Sequence, residues 1–159
     1  MNESEIRRIV EKTVKEHRAN KKDKITLSLA ERLANAVLAE ARRMGVRAVV
    51  AVSDAAGHPK VVKSMDDAYI ASYDIAVNKA FTVVALKMST LALKPLAQPG
   101  ASLYGIQFTN GGKIVIFGGG DPLVGDNGEI IGGIGVSGGS EEEDTALSLF
   151  GKRYFDTKL

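Results

Sequence analysis

The strand-like segments of this sequence fall into two groups, and within each group short turns join them. The turn sequences are Asp54-Ala55-Ala56-Gly57, Asn110-Gly111-Gly112 and Gly125-Asp126-Asn127-Gly128, whose residue types favour tight chain reversals. Strands joined by short turns pair antiparallel, because a parallel pair needs a long crossover connection. The segments are 46–53 and 59–64 in the first group, and 103–109, 113–117 and 129–136 in the second. We therefore predict a hairpin followed by an antiparallel meander of three strands.

Helical patterns surround the two groups of strands. Ser28 and Glu31 have the spacing of a capping box at the start of a long amphipathic helix. Residues 68–87 carry apolar side chains almost all round, which indicates a helix that is covered on most sides. Ser140 and Glu143 form a second capping-box spacing, at the start of a last helix. Helices placed around antiparallel strands predict an α+β fold rather than a doubly wound parallel sheet.

The first 24 residues are predicted to be a unit separate from the domain that follows. An amphipathic helix is expected between Glu3 and Glu16, and the polar stretch 18–24 has the character of a linker. An isolated helix of about 12 to 15 residues is marginal in water, so this one needs a partner surface. We divide the chain into a docking helix with its linker, residues 1–24, and a domain, residues 25–159. The apolar face of the helix consists of Ile6, Ile9, Val10 and Val14.

Composition argues against several classes of function. At 159 residues with 45% apolar and 25% charged residues, the chain suits one soluble domain. We expect a cytoplasmic protein with no membrane association, because no apolar run is long enough to cross a bilayer and Met1 does not open a secretion signal. Zero cysteines and only two histidines, His17 and His58, argue against a zinc site. Acids and bases are interspersed at a net charge of +2, so no basic face for nucleic acid is indicated.

The stretch 133–138 matches the G-x-G-x-x-G pattern of dinucleotide-binding sites. Such a site needs a further strand with an acidic residue about 20 residues on, and only one predicted helix follows the motif here. The acidic residues at 141–144 also fill the first turn of that helix, where they would repel a pyrophosphate. We interpret these glycines as structural, permitting close backbone approach or positive φ angles.

Five short motifs, taken in their order along the chain, resemble one protein family. They are Asp54-Ala55-Ala56-Gly57-His58, Met65-Asp66-Asp67-Ala68, Asn78-Lys79-Ala80-Phe81-Thr82, Gly118-Gly119-Gly120-Asp121-Pro122-Leu123 and Ile131-Gly132-Gly133-Ile134-Gly135-Val136-Ser137-Gly138-Gly139, the last followed by Asp144. Between Lys24 and Phe155 the sequence is similar to the GlcG-like family. This family includes HbpS-like haem-binding sensor proteins and the C-terminal domain of PduO-type corrinoid adenosyltransferases.

The resemblance implies a profilin-like or PAS-like domain with a five-stranded antiparallel sheet flanked by helices. It also implies assembly into homo-oligomers, from dimers to octamers. Some relatives bind haem, so haem is the cofactor that the resemblance suggests. The adenosyltransferase chemistry of PduO-type proteins belongs to a separate helical domain that residues 1–24 would not supply, so we do not expect that activity here.

The helix between Glu3 and Glu16 resembles the short encapsulation peptides that attach enzymes to bacterial microcompartments. Such a helix would dock its apolar face on a shell or cargo protein. The alternative is a helix that packs on its own domain or on a neighbouring subunit. The interior of a microcompartment is therefore the more specific location to consider within the cytoplasm.

The expected ligand pocket lies between the central helix and the sheet. His58 follows a predicted turn, where its imidazole could ligate a haem iron or remain a solvated side chain. Other possible iron ligands are Met65, Tyr69, Tyr73 and Tyr104. The full set of predicted ligand-binding residues is His58, Met65, Asp66, Asp67, Lys79, Tyr104, Gly118, Gly119, Gly120 and Pro122.

Charged residues within this set have structural interpretations as well. Lys79 lies in the most apolar helix, where an ammonium group must find a partner. An ion pair with Asp66 or Asp67 is the structural interpretation, and a bound anion is the functional one. The two aspartates precede the helix, so we expect one to be its N-cap and the other to face a ligand or metal.

Three functions are compatible with the sequence. The first is a binding module for haem, a corrinoid or a related small molecule, in propanediol- or ethanolamine-type microcompartment metabolism. The second is an enzyme that acts on a small carboxylate or a haem-like substrate, which would need Lys79 or His58 in a perturbed environment. No catalytic residue is assigned. The third is a structural or adaptor protein that docks through its first helix.

Overall fold

The computed structural model describes the backbone of residues 1–159 and the side chains of residues 1–16 and 21–159. Its helices are α1 (Glu3–Asn20), α2 (Leu27–Met44), α3 (Ile70–Ala85), α4 (Thr90–Leu96) and α5 (Glu141–Lys158). Its strands are β1 (Val49–Asp54), β2 (Pro59–Ser64), β3 (Gly120–Val124) and β4 (Ile130–Ser137). Short 3-10 turns lie at Ile106–Phe108 and Asn110–Gly112.

The four strands form one antiparallel sheet in the order β2-β1-β4-β3. β1 and β4 lie side by side over their length, with Val49 opposite Ser137 and Asp54 opposite Gly132. At one end of the sheet, which we call the Ser137 end, β4 finishes while β1 and β3 begin. The predicted α+β class, the first hairpin and the strand at 129–136 are confirmed.

The sheet has four strands, so the prediction of five strands was wrong. The segment 103–109 forms turns and a 3-10 helix, and 113–117 is not a strand. The link between them forms a 3-10 turn at Asn110–Gly112, and neither segment beside it pairs with the sheet. Strand β3 instead begins at Gly120, outside the predicted strand segments.

Helices cover both faces of the sheet. One face packs against α2 and α5, where Val50, Val52, Ile134 and Val136 belong to the main core cluster. The other face packs against α3 through a smaller cluster of Val49, Ala51, Ala76 and Ala80. This alternation follows from the two-residue period of strands, which sends neighbouring side chains to opposite faces.

Glycines in β4 allow the backbone of α3 to lie directly on the sheet. A Cβ atom at Gly133 would lie 2.6 Å from the carbonyl oxygen of Ala80, and one at Gly135 would overlap the carbonyl oxygen of Ala76. Each contact is with backbone, which cannot rotate away as a side chain can. The structure therefore supports the structural interpretation of the G-x-G-x-x-G stretch.

Helix starts agree with the sequence in one case and differ in another. The Ser140 and Glu143 capping box of α5 is present in both directions. The N-cap of α2 is Thr26, whose side chain accepts a hydrogen bond from the Leu29 amide, so the prediction of a cap at Ser28 was wrong. Thr26 has the extended backbone of an N-cap, whereas Ser28 already lies inside the helix.

The first helix leaves its apolar face uncovered. Ile6, Ile9, Val10 and Val14 are between 44% and 53% exposed. The chain rejoins the domain at Lys22, whose amide donates to the Asp126 carboxylate and whose Nζ donates to the carbonyl oxygen of Phe155, at 2.9 and 3.0 Å. The apolar face is thus exposed in this structure, while its docking on a partner and its division from the domain stay predictions.

Candidate ligand groove

A cavity of about 330 Å³ lies at the Ser137 end of the sheet. The first turns of α3 and α5 meet there with Phe117 and with the loop that follows β4. Ser72 and Ser137 contribute buried hydroxyl groups whose oxygens are 3.2 Å apart. The cavity is lined by Tyr69, Ala71, Ser72, Ile75, Phe117, Ser137, Gly138, Gly139, Glu141 and Asp144.

A second cavity of about 400 Å³ adjoins the first and shares Tyr69, Gly138 and Gly139 with it. It adds polar side chains, including Arg47, which pairs with Asp67 at 3.2 Å on the surface. We call the two cavities together the groove. Tyr69 lies between them and is 75% exposed. The groove therefore has an apolar half near Phe117 and a polar half near Arg47.

The loop between β4 and α5 keeps its shape through backbone geometry and one carboxylate. Gly138 has a φ of 148°, and a Cβ atom there would overlap the carbonyl oxygen of Arg47. The amide of Gly139 donates to Oδ1 of Asp144 at 2.9 Å. Asp144 thus ties the loop to the first turn of α5.

The loop after β4 and Phe117 form one wall of the groove. Lys79 lies behind this wall and is 0% exposed. Its Nζ donates to the carbonyl oxygen of Val136 at 2.7 Å and to Oδ2 of Asp144 at 3.2 Å. The Phe117 ring centroid lies 5.0 Å from the same atom, a cation–π distance. The structural interpretation of Lys79 as an ion-paired residue is confirmed, but its partner is Asp144 and not Asp66 or Asp67.

Burial dominates the titration of this pair. It lowers the pKa of Lys79 from its ordinary value, and the charge of Asp144 opposes this shift. It also raises the pKa of Asp144, against the charge of Lys79 and the hydrogen bond from Gly139. Both shifts favour the neutral forms, and the mutual attraction of the two charges opposes them.

Glu141 fixes the other side of the groove. Its Oε1 accepts from the amide of Gly118 at 2.9 Å, and its Oε2 accepts from Nζ of Lys94 at 2.6 Å. These hydrogen bonds, the one from Gly118 first, lower the pKa of Glu141. Glu141 therefore places a negative charge at the rim and connects α4, α5 and the chain after Phe117.

The structure brings part of the predicted residue set to the groove. Asp67 lines it, with a left-handed φ of 62°, and Asp66 lies exposed beside it. The expectation that one of them caps α3 was wrong, because the N-cap is Tyr69 and no side chain caps that helix. Gly119 is buried against Lys79, whereas Gly118 is buried beside Thr145 and Glu141.

Other predicted residues lie elsewhere. His58 is exposed at the far end of β1, roughly 17 Å from Ser137 at about 3.3 Å per residue. Pro122 is on the edge strand β3, beyond Gly120, whose amide donates to Thr90 Oγ1. Met65 packs on the main core, and its sulfur accepts from the Ala48 amide at 3.3 Å.

Tyr104 is 63% exposed and does not line the groove. The side chain of His17 lies outside the described residues. Ligand binding by the predicted set stays a prediction. Residues that the sequence did not suggest as ligand contacts include Arg47, Ser72, Phe117 and Glu141, which reach the groove from four separate segments.

Among the described residues, no group of three or more His, Cys, Asp or Glu side chains could hold a metal ion. Within the same part of the chain, no individual helix has the length and apolar character to span a membrane. Helices α3 and α4 meet that criterion only when taken together, across a bend of 78°.

The fold and the groove define a small α+β domain with an open site at one end of an antiparallel sheet. Residues 25–151 match the family described as haem degrading protein HbpS-like. The chain belongs to this HbpS-like family, in agreement with the resemblance seen in its motifs.

Relatives of known sequence or structure agree with this assignment. A 15.0 kDa protein from the dhaT-dhaS intergenic region of Citrobacter freundii is 47% identical over 78% of this chain and 87% of its own length. Corrinoid adenosyltransferase PduO of Salmonella typhimurium is 44% identical over 73% of this chain, and the match spans 34% of PduO. The crystal structure of a PduOC:heme complex superposes with a TM-score of 0.78 at 38% identity, covering 82% of this chain and 94% of that one.

Proposed function

We propose that this chain binds haem in the groove at the Ser137 end of the sheet. The observation that carries the proposal is the division of the groove into an apolar half and a polar half that meet at Tyr69. A haem has the same division, with an apolar macrocycle and two carboxylates on one edge. The relative solved with haem and the family description support the choice of this ligand.

Three residues of the groove suit such a ligand, while the carboxylates of Asp67, Glu143 and Glu141 oppose its propionates. Ile75 and Phe117 offer an apolar wall for the macrocycle. Arg47 can pair with a propionate, because its bond to Asp67 is exposed and an exposed ion pair is weak and easily exchanged. Cavities of about 300 to 1,000 Å³ are the usual size for ligands of this class. When bound, haem would supply an iron centre for ligand exchange or electron transfer.

Tyr69 is our candidate for the iron ligand. A tyrosine phenolate is one of the side chains that hold haem iron in proteins. Its exposed side chain lies where the two cavities meet, which neither His58 nor Met65 does. Tyr104 is similarly exposed but lies outside the groove, so it makes a matched control.

The test is a haem titration followed by absorption spectroscopy. We expect a Soret band with the wild-type chain and with Tyr104→Phe. Tyr69→Phe should shift the band and raise Kd about tenfold or more, a loss of about 1.4 kcal/mol. A wild-type chain that produces no spectral change with haem would refute the proposal. Equal spectra for the two variants would refute the ligand assignment alone.

We also infer that α1 docks the domain on a partner within a bacterial microcompartment. The exposed apolar face of α1 supports a docking role, and the similarity to PduO supports the setting of propanediol metabolism. Helices with such a stripe bind by laying it into a groove of the partner.

Deletion of residues 1–20 tests this second proposal. Because the face of α1 is not part of the core, we expect the deleted chain to keep its thermal unfolding midpoint and its haem affinity. It should no longer co-sediment with purified microcompartments. Val10→Glu on the apolar face should act like the deletion, whereas Arg8→Glu on the polar face should not. Undiminished co-sedimentation of the deleted chain would contradict the docking role.

A further inference from the structure

We propose that Lys79 is a positioning residue of the groove, whose ammonium group holds Phe117 and the end of β4 in place without reaching the ligand. The part of this proposal that concerns affinity rests on the proposed haem site. The part that concerns the shape of the wall does not.

The ammonium group makes its contacts with parts of the wall. Val136, which accepts its hydrogen bond, directly precedes Ser137 on the floor of the groove. Asp144, which accepts the second bond, lines the groove and holds the Gly139 amide. Phe117, whose ring faces Nζ, supplies the apolar wall. One buried charge therefore joins β4, α5 and the chain at Phe117.

The surrounding glycines are adapted to this lysine. A Cβ atom at Gly119 would lie 2.6 Å from Nζ of Lys79 and 2.8 Å from the carbonyl oxygen of Val136. A Cβ atom at Gly120 would lie 3.2 Å from Cβ of Lys79. A larger residue at Gly119 would displace the ammonium group from its acceptors. At Gly120 a Cβ atom would come closer to side-chain carbons of Thr90 and Val83, at 2.9 and 3.1 Å, so the lysine is one of three residues that fill that space.

Stability alone is a poor explanation for such a residue. A buried ion pair costs desolvation free energy, and a well-packed apolar side chain often stabilises a core as well or better. A methionine would fill much the same volume without a charge. The lysine differs from methionine in hydrogen bonding, because its ammonium group has three donors that fix the positions of its acceptors and Met has none.

The experiment compares the wild type with one neutral variant. Lys79→Met alone would leave Asp144 as an unpaired buried charge, and Asp144→Asn alone would do the same to Lys79, so either could prevent folding. The double variant Lys79→Met/Asp144→Asn avoids this, and its amide oxygen at position 144 can still accept from Gly139. Both proteins are compared by thermal unfolding, by haem titration, and by amide hydrogen exchange at Gly118 to Gly120, with the amides of β2 as an internal control.

In the double variant, exchange at Gly118 to Gly120 should be about tenfold faster than in the wild type and haem Kd about tenfold higher, each equivalent to about 1.4 kcal/mol. Exchange in β2 should change less, because β2 is far from the ammonium group. Equal exchange rates at Gly118 to Gly120 in the two proteins, or the same acceleration in β2, would overturn the proposal. If the wild type binds no haem, the proposed function fails, and the exchange comparison still decides the role of Lys79.

Discussion

Asp121 is a buried residue of strand β3 whose carboxylate accepts a hydrogen bond from Ser148 Oγ of α5 at 2.6 Å. Burial raises its pKa above the ordinary 3.8, and the bond from Ser148 and the charge of Lys152 oppose the shift. Between these two pKa values the folded state holds more protons than the unfolded state. The free energy of unfolding therefore falls as the pH rises through that window.

We expect Asp121→Asn to remove this pH-dependent fall in the free energy of unfolding. The amide oxygen can still accept from Ser148, so the variant should unfold at a higher temperature than the wild type at pH 7. The two should converge below pH 3.8, and each unit of raised pKa corresponds to about 1.4 kcal/mol at neutral pH. Unfolding midpoints measured across the acid range check this. An unchanged pH profile would contradict it, and Asp66→Asn at an exposed site is the control.

Lys79 shows what can be predicted for single residues. Its position within an apolar helix was enough to predict a buried charge that needs a partner. The partner, Asp144, is 65 positions away, and only the packing of α3 and α5 on the two faces of the sheet brings the two together. Asp66 and Asp67, the partners predicted from the sequence, lie at the surface before the first turn of α3.

Helix α2 offers a direct test at the level of a single element. Thr26 Oγ1 accepts from the Leu29 amide at 3.2 Å, and Ser28 lies one residue inside the helix. We expect Thr26→Ala to lower the free energy of unfolding by about 1 kcal/mol. Ser28→Ala, which removes an exposed hydroxyl, should change it by less than about 0.5 kcal/mol. Urea unfolding of both variants decides which residue is the cap.

The strands show how far the pattern of apolar residues and turns predicts secondary structure. β1, β2 and β4 were predictable, because their apolar runs are bounded by turn residues. The segment 103–109 has a strand-like pattern but no neighbouring strand, and its Phe108 is largely exposed. β3 contains Gly120 and Pro122, which are typical of loops. Pro122 is tolerated because β3 is an edge strand.

At the scale of the whole molecule, the fold class was predictable and the groove only in part. Antiparallel pairing follows from local turns, which can be recognised in the sequence. The groove requires four segments separated by long stretches of chain to meet at one end of the sheet. Asp67 and the glycines after β4 were recognisable, while Arg47 and Phe117 carry no local signal of a shared site.

Helix α3 contacts different parts of the molecule in its early and later turns. Its first turns face the groove through Tyr69, Ser72 and Ile75, while Ala76 and Ala80 rest on the glycines of β4. Substitutions in the early turns can thus alter what is bound without loosening the contact beneath the later ones. Ligand preference and the packing of the fold would then depend on different stretches of one helix. Family members could differ in the residues of the early turns and keep those of the later turns.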